Sequence, residues 1–167
     1  MILGSGCFWG REYHLRKLPG VISTRVGFAG GRATDPTYVQ VCEENTGHAE
    51  VVSVNYDTRI LTTRDLLTEF FTLHNFELNR GRGTGQYRSA VFSLVEDEQL
   101  TTARQMLLIL ERAGYQPTTD VAVVADFHPA DARHQQYCTA RGMSPTRRND
   151  TKIRELLGTA TKPGTGC

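Results

Sequence analysis

Hydrophobic positions along the chain follow two different periods. Apolar and polar residues alternate from Val52 to Tyr56, which is typical of a strand with one buried face. From Thr62 onward the apolar residues instead recur at helical spacing, which predicts a helix with one apolar side. The pattern predicts strands at residues 21–30, 49–56, 90–95 and 121–127. It predicts helices at residues 11–18, 62–73, 96–113 and 129–141, and a short helix beginning at Tyr38.

This order of elements predicts an α+β fold. We expect a two-layer α/β sandwich of the ferredoxin-like kind, in which helices pack on a mostly antiparallel mixed sheet. One folded domain is expected over residues 1–141. After Arg141 the chain becomes polar and ends in a glycine-rich run, which predicts a flexible C-terminal extension over residues 142–167.

Composition and charge narrow the class of protein. The 167 residues are enough for one domain with a buried core. A net charge of +1 argues against a dedicated binder of nucleic acid or of a membrane surface. No apolar run approaches the ~20 residues of a membrane span, and residues 1–3 are too short for a signal peptide. We therefore expect a cytoplasmic monomer.

The four cysteines are irregularly spaced, with no CxxC pair and no zinc-type pairing of cysteine with histidine. This spacing argues against a metal site and against a secreted disulfide framework. It favours a reducing compartment and one or more catalytic thiols.

Cys7 lies in the motif GCFWG, beside the single tryptophan of the chain. The helix predicted after it would place Cys7 at a helix N-terminus, where backbone N–H groups and the helix dipole favour a thiolate. Phe8 and Trp9 would wall an apolar pocket, and such a pair suits attack on a small soft electrophile. The alternative is that all three residues pack in the core, and this stretch taken alone favours that alternative.

Three segments together resemble the A-type peptide methionine sulfoxide reductase family: GCFWG at 6–10, GHAEVV at 47–52 and QYRSAVF at 86–92. Further similar segments are LPGV at 18–21, VGFAGG at 26–31, PTYVQVC at 36–42 and FHPADARHQQY at 127–137. The resemblance implies thiol-dependent reduction of methionine S-sulfoxide, free or in proteins, as repair after oxidative stress. It implies no cofactor, because cysteine thiols carry the electrons. The partners it implies are methionine sulfoxide and a dithiol reductant such as thioredoxin.

The resemblance assigns the chemistry to named residues. Cys7 matches the nucleophile, which is left as a sulfenic acid when methionine departs. Glu50 matches the acid that protonates the departing oxygen, and it must be held protonated by burial. Taken alone, Glu50 would be a solvated strand carboxylate.

The resemblance also supplies the groups that hold the substrate. Tyr38 and Tyr87 match the two phenols that bind the sulfoxide oxygen, and a phenol donates a hydrogen bond while staying neutral. Phe8 and Trp9 match the cage around the substrate methyl group. Without the resemblance, each tyrosine would be read as the edge of an amphipathic core.

A second thiol must then condense with the oxidised Cys7 to give a disulfide. Cys167 is the expected resolving cysteine, because it ends a glycine-rich tail that can reach the site at modest loop-closure cost. Cys138 replaces the leucine usual in the family, and packing is the role expected for it. Cys42 falls where many members have a cysteine and is expected to be structural.

The loop at residues 75–86 departs from the family pattern. It is shorter, and Arg82 stands where the family has an aspartate of the polar network around the site. Arg80 and Arg82 would recognise an acidic group on a small substrate, or they form a solvated basic loop. Glu77 is a candidate for the missing carboxylate, although most loop glutamates are simply solvated.

Two other functions stay open at this point. The same nucleophile could act on a different small sulfur compound, which only the altered loop supports. The fold could also serve as a non-catalytic redox sensor, although the retained set of Cys7, Glu50, Tyr38 and Tyr87 speaks against it.

Overall fold

A computed structural model describes residues 1–43, 46–78 and 85–158 of the chain. Its sheet has the strand order β5-β4-β1-β3-β2-β6, and every neighbouring pair is antiparallel except β4 with β5. The strands are β1 (Ile2–Ser5), β2 (Val21–Ala29), β3 (Ala49–Tyr56), β4 (Ser89–Ser93), β5 (Asp120–Val123) and β6 (Phe127–Pro129). The mostly antiparallel mixed sheet is as predicted.

The four central strands have the ferredoxin-like order β4-β1-β3-β2. A helix follows β1 and another follows β3, so that β4-β1-β3-β2 is built from two strand–helix–strand units. The helices are α1 (Phe8–Leu15), α2 (Tyr38–Glu43), α3 (Thr63–Leu73), α4 (Glu98–Arg112), α5 (Tyr137–Ala140) and α6 (Thr151–Gly158), with a 3₁₀ turn at Ala132–His134. Among the described residues, no helix is long and apolar enough to cross a membrane.

The two long helices begin where capping side chains satisfy the free N–H groups of the first turn. The Thr62 hydroxyl accepts from the Asp65 N–H at 3.1 Å, and the Asp97 carboxylate accepts from the Leu100 N–H at 3.1 Å. The apolar side of α3 is buried against the sheet, and Phe70 is completely inaccessible to solvent. Both helices are where the sequence predicts them.

The strand β1 lies in the middle of the sheet and is absent from the prediction. All four of its residues are buried, and it pairs with β3 on one side and β4 on the other. A short strand covered on both faces has no alternation of apolar and polar residues, so it leaves no period-two signal.

The predicted helix at residues 129–141 is wrong. That stretch is divided into the end of β6, the 3₁₀ turn and the short helix α5. Gln136 has a φ of 51°, which interrupts a helix, and its N–H donates to the Glu12 carboxylate at 2.7 Å. The Gln135 side chain accepts from the Val26 N–H at 2.8 Å and donates to the Val26 carbonyl at 2.9 Å. These bonds to α1 and β2 override the local helical pattern.

The packed part of the chain reaches further than the expected boundary at residue 141. Helix α6 buries Ile153 and Leu157 in the core. The buried Glu69 of α3 pairs with Arg147 and with Arg154, the latter at 2.7 Å. Residues 142–158 therefore differ from a flexible extension, and residues 159–167 lie outside the described part.

Candidate functional site

The sheet topology gathers the predicted site residues at one edge of the sheet. Cys7 follows the end of β1, and because both neighbours of β1 are antiparallel, the beginnings of β3 and β4 lie beside it. Glu50 is the second residue of β3, and Tyr87 comes just before β4. The Glu50 N–H donates to the Gln86 carbonyl at 2.8 Å, which ties these two segments together. Gly6 turns the chain from β1 into α1 with a φ of 101°, a conformation that favours glycine.

The Glu50 carboxyl is buried beside the N-terminus of α1. The residue is 1% exposed, and its Oε2 accepts from the Phe8 N–H at 3.0 Å. Its Oε1 has no hydrogen-bond partner among the described residues. Burial raises the pKa of Glu50 from 4.5 to about 7, although the Phe8 hydrogen bond acts in the opposite direction. The protonated and the ionised forms of the carboxyl are therefore both populated at neutral pH.

Cys7 is the exposed residue immediately before α1. The backbone N–H groups of Trp9 and Gly10 bond its sulfur and lower the thiol pKa, as expected of a helix N-terminus. Desolvation and the Glu50 carboxylate outweigh them, so that the pKa of Cys7 is raised overall. The predicted lowering of this pKa is wrong for the resting protein, because the sequence shows neither the desolvation of the thiol nor the nearby Glu50 carboxylate.

Aromatic rings surround the start of α1. Phe8 is buried, and its ring centroid lies 6.3 Å from those of both Trp9 and Tyr38. The Tyr38 ring stacks on His134 at 4.4 Å, and the Trp9 ring stacks on Tyr137 at 3.9 Å. His134 and Tyr137 are site neighbours that the sequence analysis misses. Both residues belong to the segment FHPADARHQQY, whose resemblance to the family could have marked them as site residues. The helix predicted there does not show that their rings stack on Tyr38 and Trp9.

The two predicted phenols keep their protons at neutral pH. Desolvation raises the pKa of Tyr38, and its hydrogen bond with Cys42 raises it further. Desolvation, the Glu50 carboxylate and the Cys7 thiolate raise the pKa of Tyr87. Both hydroxyl groups can therefore donate hydrogen bonds, and the influence of Glu50 on both places them around the same carboxyl.

A groove with a volume of about 470 Å³ runs from Cys7 along α1. We call it the Cys7 groove. Its lining residues include Cys7, Trp9, His14, Tyr87, Cys138 and Met143. A single cleft is thus lined by the Cys7 thiol, the Tyr87 phenol and the Trp9 ring. Its size suits a side chain and the backbone on either side of it.

The structure leaves three of the predicted residues undescribed and places a fourth, Glu77, elsewhere. Arg80, Arg82 and Cys167 lie outside the described residues. Glu77 accepts a hydrogen bond from the Gln116 N–H at 2.7 Å, so it faces the connection between α4 and β5.

Cys42 hydrogen-bonds with the Tyr38 hydroxyl. It is half-buried and accepts a hydrogen bond from the Gln86 side chain at 3.6 Å. Within the described residues, no cluster of three or more His, Cys, Asp or Glu side chains is arranged to hold a metal ion.

Comparison with known proteins gives a consistent result. The family model of peptide methionine sulfoxide reductase matches residues 1–159. A relative from Salinispora tropica, called peptide methionine sulfoxide reductase MsrA, is 44% identical over 144 residues, which cover 81% of this chain and 65% of the relative. The chain thus spans about two thirds of that relative's length.

Solved structures share the fold. Methionine sulfoxide reductase A of Corynebacterium diphtheriae superposes with a TM-score of 0.74 at 31% identity, over 87% of this chain and 76% of that one. Mxr1 from Saccharomyces cerevisiae in reduced form gives a TM-score of 0.76 at 28% identity, over 87% of each chain.

Proposed function

Since the chain belongs to the peptide methionine sulfoxide reductase family, we propose that it reduces methionine S-sulfoxide, free or in proteins, to methionine. Cys7 is the nucleophile and Glu50 is the acid. The observation that carries the proposal is the buried Glu50 carboxyl, whose Oε1 is unpartnered among the described residues and whose pKa of about 7 keeps a proton available. A carboxyl in this state serves chemistry in which an oxygen must leave.

The reaction begins with attack of the Cys7 thiolate on the substrate sulfur. The Cys7 sulfur bonds to the substrate sulfur while the sulfoxide oxygen takes a proton from Glu50. The bond between the two sulfurs and the bond from the substrate sulfur to its oxygen then break, the oxygen becomes bonded to Cys7 as a sulfenic acid, and methionine departs. The proton lost from Cys7 replaces the one given by Glu50, so the site as a whole gains or loses no proton. The mutual influence of the two groups on their pKa values makes this exchange favourable, because removing the charge from Glu50 removes a cause that disfavours the thiolate.

Tyr38 and Tyr87 hold the sulfoxide oxygen in this proposal. Their raised pKa values keep both hydroxyl groups protonated, so they donate to the oxygen as negative charge develops on it. Phe8 and Trp9 form the wall for the methyl group, because their rings lie one and two residues after the nucleophile. With the methyl group held against this apolar wall, only the S epimer presents its sulfur to Cys7 and its oxygen to Glu50 at the same time. The wall therefore selects the S epimer.

The oxidised Cys7 returns to the thiol through a disulfide and an external dithiol. Condensation with a second cysteine gives the disulfide, and thioredoxin or a similar dithiol protein reduces it. The two electrons come from thiols throughout.

The test is a single turnover with each epimer of N-acetyl methionine sulfoxide and the reduced protein. We expect methionine product from the S epimer alone and none with Cys7→Ser. Product from the R epimer, or equal product with Cys7→Ser, would overturn the proposal. Reduction of another sulfoxide without reduction of either epimer would favour the alternative substrate instead.

A further inference from the structure

We propose that Cys138 is the resolving cysteine, which condenses with the sulfenic acid of Cys7 to form a Cys7–Cys138 disulfide. This inference rests on the proposed function, since it needs the sulfenic acid as its starting point. It differs from the expectations that Cys167 resolves and that Cys138 only packs.

The two thiols share one cleft. Cys138 and Cys7 both line the Cys7 groove, Cys7 from the start of α1 and Cys138 from α5 across it. Cys138 is 4% exposed, so what little of its surface is free opens into this cleft. A small buried side chain that only filled the core would not line the groove that holds the nucleophile.

The segment that carries Cys138 is fastened to the helix that carries Cys7. The Trp9 indole N–H donates to His134 Nδ1 at 3.2 Å, and the Gln136 N–H donates to the Glu12 carboxylate at 2.7 Å. The ring of Tyr137 stacks on Trp9 at 3.9 Å with 9° between the planes. Trp9 is two residues from the nucleophile and Tyr137 is adjacent to Cys138, so the ring stack fixes the two cysteines near one another.

Electrostatics agree with this arrangement. The charge of Cys138 is among the causes that raise the pKa of Cys7, as expected for neighbouring sulfurs. Burial and the Glu12 carboxylate raise the pKa of Cys138 itself. In the resting protein Cys138 is therefore a protonated thiol, which supplies the proton that the departing hydroxyl takes when the disulfide forms.

The chemical step is balanced without a further reagent. The S–O bond of the Cys7 sulfenic acid breaks as the S–S bond forms, and the hydroxyl leaves with the thiol proton of Cys138 as water. The disulfide requires the two Cβ atoms to come within about 3.5–4.5 Å of each other. Helix α5 is a single turn, Tyr137–Ala140, so Cys138 is carried on a short segment that can move toward Cys7.

The other described cysteine is less suited to the role. Cys42 does not line the Cys7 groove, and its sulfur is already engaged by Gln86 and by the Tyr38 hydroxyl. A disulfide at Cys42 would remove a contact from one of the phenols that hold the substrate oxygen.

Peptide mapping of the oxidised protein decides between the candidates. The reduced full-length chain is mixed with N-acetyl methionine S-sulfoxide in equal amount, remaining thiols are alkylated, and the protein is digested with trypsin without reduction. Cleavage at lysine and arginine separates the four cysteines: Cys7 falls in residues 1–11, Cys42 in 33–59, Cys138 in 134–141 and Cys167 in 155–167. We expect a cross-link between 1–11 and 134–141. A cross-link to 33–59 or to 155–167, or a sulfenic acid with no cross-link, would overturn the inference.

Matched variants give a second readout. With Cys138→Ala we expect methionine to form in one turnover, but with one thiol lost instead of two and with a sulfenic acid on Cys7 that dimedone traps. Cys42→Ser is the control, because serine removes the thiol but keeps a hydrogen-bonding group beside Tyr38 and Gln86, and it should still lose two thiols and give the cross-link to 134–141. Turnover supported by thioredoxin should fall at least about tenfold with Cys138→Ala, because the substrate of thioredoxin is the disulfide.

The outcomes separate this inference from the proposed function. If no methionine forms in the wild-type protein, the proposed function fails. If methionine forms and Cys138→Ala still loses two thiols, the function stands and the role of Cys138 is refuted. Should Cys138→Ala fail to fold, as judged by circular dichroism, the mapping of the wild-type protein remains decisive.

Discussion

Burial of the Glu50 carboxyl beside Cys7 has two consequences, a pH-dependent contribution to stability and a proton for catalysis. The variant Glu50→Gln tests both. Glutamine has nearly the same shape as glutamate, and its carbonyl oxygen can still accept the hydrogen bond from the Phe8 N–H. It cannot bind and release a proton in the physiological pH range. The variant therefore keeps the packing of this buried position and removes its titration.

The expected effect on stability follows from the pKa of Glu50. The folded protein raises that pKa from 4.5 to about 7, so between these values the folded state holds a proton that the unfolded state has lost. The stabilisation by the protonated form is complete below pH 4.5 and is lost as the pH rises through about 7. At ~1.4 kcal/mol per pKa unit, the wild-type protein should lose about 3 kcal/mol that Glu50→Gln does not lose.

The expected effect on catalysis is larger. A positioned general acid contributes about 10²- to 10⁴-fold to a rate, so the single-turnover rate of methionine formation should fall by this factor. Binding of the substrate should change much less, because the aromatic wall and both phenols remain.

Urea unfolding at about pH 5 and about pH 8 measures the first effect, and rapid-quench single turnovers measure the second. The exposed Glu111 on α4 provides the control, and Glu111→Gln should follow the wild-type protein in both assays. Equal pH dependence of unfolding in wild type and Glu50→Gln would refute the raised pKa. A fully active Glu50→Gln would refute the role of Glu50 as the acid.

Three further predictions follow from the same geometry. The single-turnover rate should rise as the pH rises through about 7 and should fall above the raised pKa of Cys7. The reason is that the reactive form has lost one of the two protons of the Cys7–Glu50 pair. Stopped-flow rates measured against pH check this, and the rise near pH 7 should be absent in Glu50→Gln. Tyr87→Phe should lower that rate on the order of 10²-fold with little change in the free energy of unfolding, because it removes one donor to the sulfoxide oxygen; an unchanged rate would contradict the role. Glu69→Gln should destabilise the protein by about 1–3 kcal/mol in urea unfolding, because it weakens the buried pairing with two arginines that holds α6. Glu96→Gln is the control, because it breaks a pairing between two exposed side chains and should destabilise the protein less than Glu69→Gln does; equal destabilisation by the two variants would contradict the assignment.

The sequence predicts those parts of the fold that local pattern controls. The strand β3 alternates, and α3 and α4 each begin at a capping side chain, so both their type and their position follow from nearby residues. The strand β1 escapes prediction because it is buried on both faces. The stretch around Gln136 escapes it because hydrogen bonds to Glu12 and Val26, both distant in sequence, decide its conformation.

Some features of the candidate site could likewise be predicted from the sequence, and others could not. The motif around Cys7 and the segment with Glu50 could be found from sequence, since their residue types carry the chemistry. The raised pKa of Cys7 could not, because it depends first on desolvation in the folded protein and then on the Glu50 carboxylate, which the pairing of β1 with β3 brings close. The position of Cys138 in the Cys7 groove could not either, because it follows from the interruption at Gln136 and the hydrogen bond of that residue to Glu12.

The central position of β1 has a consequence for how the molecule moves. Amide hydrogens in a strand that is covered on both sides and paired on both edges exchange only when the domain opens as a whole. Cys7 is attached directly to that strand, whereas Cys138 stands on one turn of helix near the surface. We therefore expect the motion that brings the two sulfurs together to occur in the α5 segment. Oxidation would then change the conformation of the α5 segment, where a reductant can recognise the change. The sheet around β1, which positions Cys7, would stay the same.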